Sequence, residues 1–225
     1  MDTVIGVIFP YVAAVLFLLG AIVRVTGWMT APRKLNWKLY PVPEGLAGEA
    51  SYILEEWLSF KTLFKNNRVV WLGSYAFHLS LVALAAWFAI FLLGVHLPWL
   101  VRGGAWVLLG SSLYLLIARL WMPQLRAMST PVEYFNLLLF ILISLTGVNL
   151  MGQELSPQVR AYFIGLISLS PIPPPSSKTF LLNLFLLEFF AAYLPFSKMF
   201  HVASKYFAFH KLRWSNPYEA HKRSV

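Results

Sequence analysis

Two histidines in an otherwise apolar chain raise the first question. His78 lies inside a long apolar run, and His201 closes another in Leu194-Pro195-Phe196-Ser197-Lys198-Met199-Phe200-His201. Neutral imidazoles on two different helices suit both axial positions of a haem iron. Such ligation fills the coordination sphere and favours electron transfer over oxygen chemistry. Each histidine also has a plainer reading: a hydrogen bond to a neighbouring helix for His78, an interfacial side chain for His201. The chain has no cysteine, so it can form no disulfide and ligate no iron–sulfur cluster through thiolates. A redox cofactor must therefore use histidine or be held by packing.

Other polar residues within apolar runs are few, and each is a functional candidate because burying it in lipid is costly. Glu188 could accept or relay the proton of a quinol, with a structural hydrogen bond as the alternative. Arg119 could pair with a haem propionate by charge-assisted bonding, or simply snorkel to the surface. Asn183 and His96 could line a quinone pocket; for His96 an interfacial position ahead of Pro98 is the plainer expectation. His210 and His221 fall in a basic tail and are expected to be solvated.

These residues need helices to hold them. The 225-residue chain is 59% hydrophobic and 12% charged, too little polar surface to solvate a soluble fold. We expect an all-α membrane protein with five spans, over about 4–23, 69–95, 104–122, 132–151 and 179–199, forming one domain over 1–225. Thr130 and Glu133 make a capping box before the fourth span, with Pro131 in its first turn. Pro195 is expected to kink the fifth. His78 lies ten residues past Arg68, roughly 15 Å along a helix. The first run lacks a preceding basic region and a cleavage site, and so reads as an anchor.

With the N-terminus outside, 15 of the 18 Lys and Arg residues fall on the inner side and 3 outside. That asymmetry places the C-terminus in the cytoplasm and accounts for the net charge of +9 without nucleic acid. Between the first two spans, residues 44–66 carry Ile53, Leu54, Trp57, Phe60, Leu63 and Phe64 at helical spacing. Glu55, Glu56, Lys61 and Lys65 lie opposite. This predicts an amphipathic helix on the inner membrane surface or against a partner. Residues 161–169 are apolar but too short to span, and the proline run at 171–175 is expected to cap the outer face. The tail, 202–225, is basic.

Five spans, "AFHLSL" at 76–81 and "LPFSKMFHVAS" at 194–204 resemble the gamma subunit of respiratory nitrate reductase and its relatives. Those relatives are the membrane cytochrome b subunits of sulfite-reduction-linked and heterodisulfide-reductase-type complexes. The likeness covers roughly residues 4–210, and "YPVPEG" within 28–68 looks more like the second group. The resemblance implies that His78 and His201 ligate a haem b near the cytoplasm. It places a second haem's ligands at Phe88 and Asn183, neither of which suits iron, so one haem is expected. It also implies electron exchange between menaquinone, or another quinone, and a cytoplasmic iron–sulfur subunit docked on the basic inner face. Extracytoplasmic cytochrome or iron–sulfur subunits could join the complex in the cytoplasmic (inner) membrane of a prokaryotic cell. The rival readings are a haem-free membrane anchor, or a small transporter using Glu188 and Arg119 with the few hydroxyls at Ser111, Ser112, Ser144 and Thr146.

Overall fold

A computed structural model describes residues 2–31, 43, 45–151 and 156–208. His210, His221 and the tail beyond residue 208 lie outside the described residues, as does most of "YPVPEG". The described residues form helices and no strand: α1 (Phe9–Thr30, entered through a π turn at Val4–Ile8), α2 (Gly45–Ser59), α3 (Lys61–Asn66), α4 (Arg68–Leu92), α5 (Pro98–Trp121), α6 (Pro123–Met128), α7 (Pro131–Leu150), α8 (Ser156–Ile167), α9 (Lys178–Tyr193) and α10 (His201–Ala208). Five of these stretches are long and apolar enough to cross a membrane: Val4–Thr30, Arg68–Leu92, Pro98–Trp121, Pro131–Leu150 and Lys178–Phe196. They carry large apolar side chains that remain exposed, among them Leu18, Leu79, Trp106 and Leu145. Such surface suits lipid rather than water.

The chain divides into two units, Met1–Ala13 with Phe60–Phe190, and Ala14–Ser59 with Ala191–Val225. In the first unit α4 packs antiparallel on α5, and α5 on α7. Glycines allow the close approach of α4 and α5. A Cβ on Gly73 would meet Tyr114 Cδ1 at 2.5 Å and Leu115 Cδ2 at 2.9 Å, and one on Gly104 would meet Leu84 at 3.0 Å. The Tyr114 hydroxyl then donates to the Val69 carbonyl at 3.0 Å, tying the same two helices. Gly73→Val should therefore overpack the seam, costing about 1–3 kcal/mol. A lower thermal midpoint in detergent than the parent protein is the check. Phe140, 2% exposed, meets Phe77 of α4 at 4.8 Å and Phe190 of α9 at 5.0 Å. These edge-to-face contacts join three helices in one aromatic core.

α4 ends in a Schellman turn. Gly94, at φ +93°, lets its N–H reach Phe91 O (3.0 Å) and the next N–H, of Val95, reach Ile90 O (3.3 Å). Arg160 of α8 then donates twice to the Leu92 carbonyl, at 3.2 and 3.0 Å. Glu133 accepts from the Thr130 N–H at 2.7 Å and from the Thr130 hydroxyl, so the expected cap of the fourth span forms. The α8 segment is helical but far too short to span. It buries Tyr162 and Leu166 against Phe180 and Leu184 of α9, with Ile5 and Tyr11 packed alongside. Tyr162 donates to Gly6 O at 2.8 Å, and Tyr11 to Leu166 O at 3.1 Å. Burial raises the Tyr162 phenol above its ordinary pKa, and Glu188 and Tyr11 push the same way. Pro174, from the proline run, rides directly on Gly6, where no Cβ would fit.

In the second unit the chain does not bend smoothly at Pro195. α9 stops at Tyr193, and two 3₁₀ turns, Leu194–Phe196 and Lys198–Phe200, lead into α10. Proline lacks the N–H that would continue the helix ladder, and the helix ends there. Arg24 of α1 donates to two carbonyls of the turns, from Nε to Pro195 O (2.9 Å) and from Nη2 to Ser197 O (3.1 Å). Gly20 makes room: a Cβ there would lie 2.8 Å from both Pro195 and Phe196. Trp28 stacks on Phe200 at 5.9 Å.

The amphipathic segment differs from the expected single helix. It is two helices, α2 and α3, broken at Phe60, whose backbone is left-handed at φ 51° and ψ 42°. Glu56, read as part of the polar face, is instead buried. Its Oε1 lies 3.8 Å from Lys205 Nζ of α10.

Candidate functional site

His78 sits on α4, half-buried, one turn after Ser74. Its Nδ1 lies 2.7 Å from the Ser74 carbonyl oxygen. A carbonyl only accepts, so Nδ1 carries the proton, and in a neutral ring the lone pair is on Nε2. Two rings hold the imidazole's orientation: Phe60 edge-on at 5.0 Å and Phe77 at 5.4 Å. The left-handed Phe60 backbone costs about 1–2 kcal/mol for a residue with a Cβ. That strain delivers the phenyl ring to His78 and, at 5.9 Å, to Tyr75. A ligand imidazole oriented by a backbone carbonyl through its distal nitrogen is the usual arrangement at metal centres.

His201 is the first residue of α10, exposed, directly after the turn held by Arg24. The two histidines belong to different units of the chain, and each site stands by its own geometry. Arg119 lies near the end of α5, where Nη1 donates to Ser129 Oγ at 2.7 Å. Its backbone carbonyl accepts from Tyr134 at 3.4 Å. One of its five guanidinium donors is thus committed to the α6–α7 junction.

The polar residues toward the other end of the first unit come together around a cavity of about 640 Å³. Its walls include Trp87, Phe88 and Phe91 of α4, Phe163 of α8, and Leu184 and Leu187 of α9. His96, Arg102 and Asn183 supply its polar groups. Phe88 and Phe163 meet edge-to-face at 4.9 Å, and Trp87 stacks on Phe91 at 5.1 Å. His96 is exposed beside Phe91, 5.4 Å away. The volume and the apolar lining with few polar groups are typical of a small-molecule site. Glu188 does not line this cavity. It lies one turn beyond Leu184, which does, and is 6% exposed; neither carboxylate oxygen has a hydrogen-bond partner among the described residues. The expected alternative for Glu188, a structural hydrogen bond to a neighbouring helix, is therefore not what the structure contains.

No family model matches the chain. It is similar to a curated protein of Archaeoglobus fulgidus, the Hdr-like menaquinol oxidoreductase cytochrome b-like subunit. Identity is 25% over 264 aligned positions, covering 92% of this chain and 79% of that protein. The similarity falls on the heterodisulfide-reductase side of the expected resemblance. With five helices able to span, the chain is a multi-pass membrane protein.

Sequence reasoning singled out His78, His96, Asn183 and Glu188 but missed their supports. Ser74 is visible only as a residue four before His78. Arg24 reads as a boundary charge until its carbonyl partners are known. Phe60 and Arg102 carry no sequence signal that marks them. The hydroxyls that a transporter would need are spent on their own helices. Ser111 and Ser112 donate to Leu108 O, Ser144 to Phe140 O, and Thr146 to Leu142 and Ile143 O.

Proposed function

We propose that this chain is a membrane cytochrome b-like subunit of a menaquinol oxidoreductase complex, with His78 and His201 as the axial ligands of one haem b. In this reading the N-terminus is outside and the C-terminus cytoplasmic, so the haem lies toward the cytosol and serves an iron–sulfur partner on that side. The observation that carries it is His78: Nδ1–H bound to the Ser74 carbonyl leaves the ring's lone pair on Nε2, the donor chemistry that iron requires. The similarity to a cytochrome b-like subunit supports the same reading.

Bound there, the haem supplies one-electron redox chemistry. The chain's own residues do the rest. Phe60 and Phe77 fix the imidazole plane. Arg24 fixes the turn before His201. Arg119 offers its remaining guanidinium donors to a propionate. The aromatic cavity binds the quinol, with His96 at its mouth, and Glu188, buried one turn beyond Leu184 of its wall, receives a proton relayed from it.

Pyridine haemochrome analysis of the purified protein is the direct test and should give about one haem per chain, as expected if Phe88 and Asn183 cannot ligate iron. A value near zero would favour the anchor reading. A value near two would require a second ligand pair, with His96 as its first candidate.

A further inference from the structure

We infer that the cavity discriminates between the two redox forms of a quinone, binding the hydroquinone more tightly, and that Asn183 makes the distinction. The inference rests on the reading that the chain handles a membrane quinol, and it adds which form is recognised and by which atom.

Asn183 donates from Nδ2 to Ile143 O at 2.9 Å and to Thr146 Oγ1 at 2.8 Å. The Ile143 carbonyl can only accept, so the amide nitrogen must face α7. Thr146 sends its own proton to the Leu142 and Ile143 carbonyls, so its oxygen is free to accept from Asn183. Both N–H bonds of the amide are therefore committed within the protein. Oδ1 remains, and it can only accept.

A quinone offers two carbonyl oxygens, which also only accept. A hydroquinone offers two O–H donors. Facing Asn183 Oδ1, the reduced form gains a hydrogen bond, whereas the oxidised form sets two acceptors against each other and leaves both unsatisfied. Phe88, Phe163, Leu184 and Leu187 of the walls carry no donor. The side-chain donors of the lining that a quinone carbonyl could use are the indole N–H of the half-buried Trp87 and the exposed His96 and Arg102, so the preference rests on Asn183 alone. The paired rings of Phe88 with Phe163, and of Trp87 with Phe91, suit a flat fused-ring head group. One neutral hydrogen bond made or left unmade corresponds to roughly tenfold in affinity.

The test is anaerobic titration of the full-length protein in detergent with menadione and with its hydroquinone, followed by tryptophan fluorescence or calorimetry. The parent protein should bind the hydroquinone about tenfold more tightly. Asn183→Leu should abolish that preference by weakening the hydroquinone alone. Thr146→Val, which releases one amide N–H to serve a quinone carbonyl, should narrow it and guards against a misfolded Asn183 variant. Equal binding of the two forms by the parent protein would overturn the selectivity while leaving the quinone reading intact. Binding of neither form would sink the quinone reading itself. Displacement of the probe by phospholipid at equal concentration, with no redox preference, would make the cavity a lipid crevice.

Discussion

His78→Ala is expected to yield a folded membrane protein that retains no haem. The reduced-minus-oxidised spectrum should lose its b-type band entirely, and quinol-dependent electron transfer should fall to background. The size of the effect follows from coordination. If His78 is one of two ligands, its loss would remove a bond to iron that the aromatic packing around the site could not replace. Ser74→Ala supplies the control. The group that orients His78 is the Ser74 backbone carbonyl, not its hydroxyl, so that variant should keep full haem. A His78→Ala protein with an unchanged spectrum would remove His78 from the ligand set.

The second large effect is expected at Glu188. A buried carboxyl with no hydrogen bond is costly in apolar surroundings, so its presence calls for a use. Glutamine preserves the shape of the side chain but cannot accept a proton. Glu188→Gln should lower quinol-linked turnover by about 10²–10⁴-fold, the usual range for a positioned acid–base group, and leave the haem spectrum intact. Stopped-flow reduction of the haem by a menaquinol analogue reads both quantities at once. Unchanged turnover would assign Glu188 to structure.

The spans were legible because hydropathy is a property of whole windows, and five windows stand well above the rest. Their ends were less so. The first was expected to stop at Val23, because Arg24 looked like a boundary, yet the helix runs on to Thr30. The charge is tolerated there because two carbonyls of the turns around Pro195 accept from it. That partnership bridges 171 residues, and no local pattern records it. The break at Phe60 was equally hidden: it uses neither glycine nor proline, and the ring contacts it makes, with His78 and Tyr75, are tertiary. The cavity was half legible. His96 and Asn183 were recognisable as costly polar residues toward one end, but the commitment of the Asn183 amide to α7 required coordinates.

The bond between Arg24 and the Pro195 carbonyl also sets a timetable for biogenesis. At roughly 5–20 residues per second, the ribosome delivers Pro195 on the order of ten to thirty seconds after Arg24. Throughout that interval the first helix carries a guanidinium whose carbonyl partners have not been made. It must wait where water or lipid headgroups can solvate it, and it docks only when the last span enters the bilayer. The turn that presents His201 is therefore completed at the end of synthesis, so in the proposed reading a haem would be loaded late in the life of each new chain.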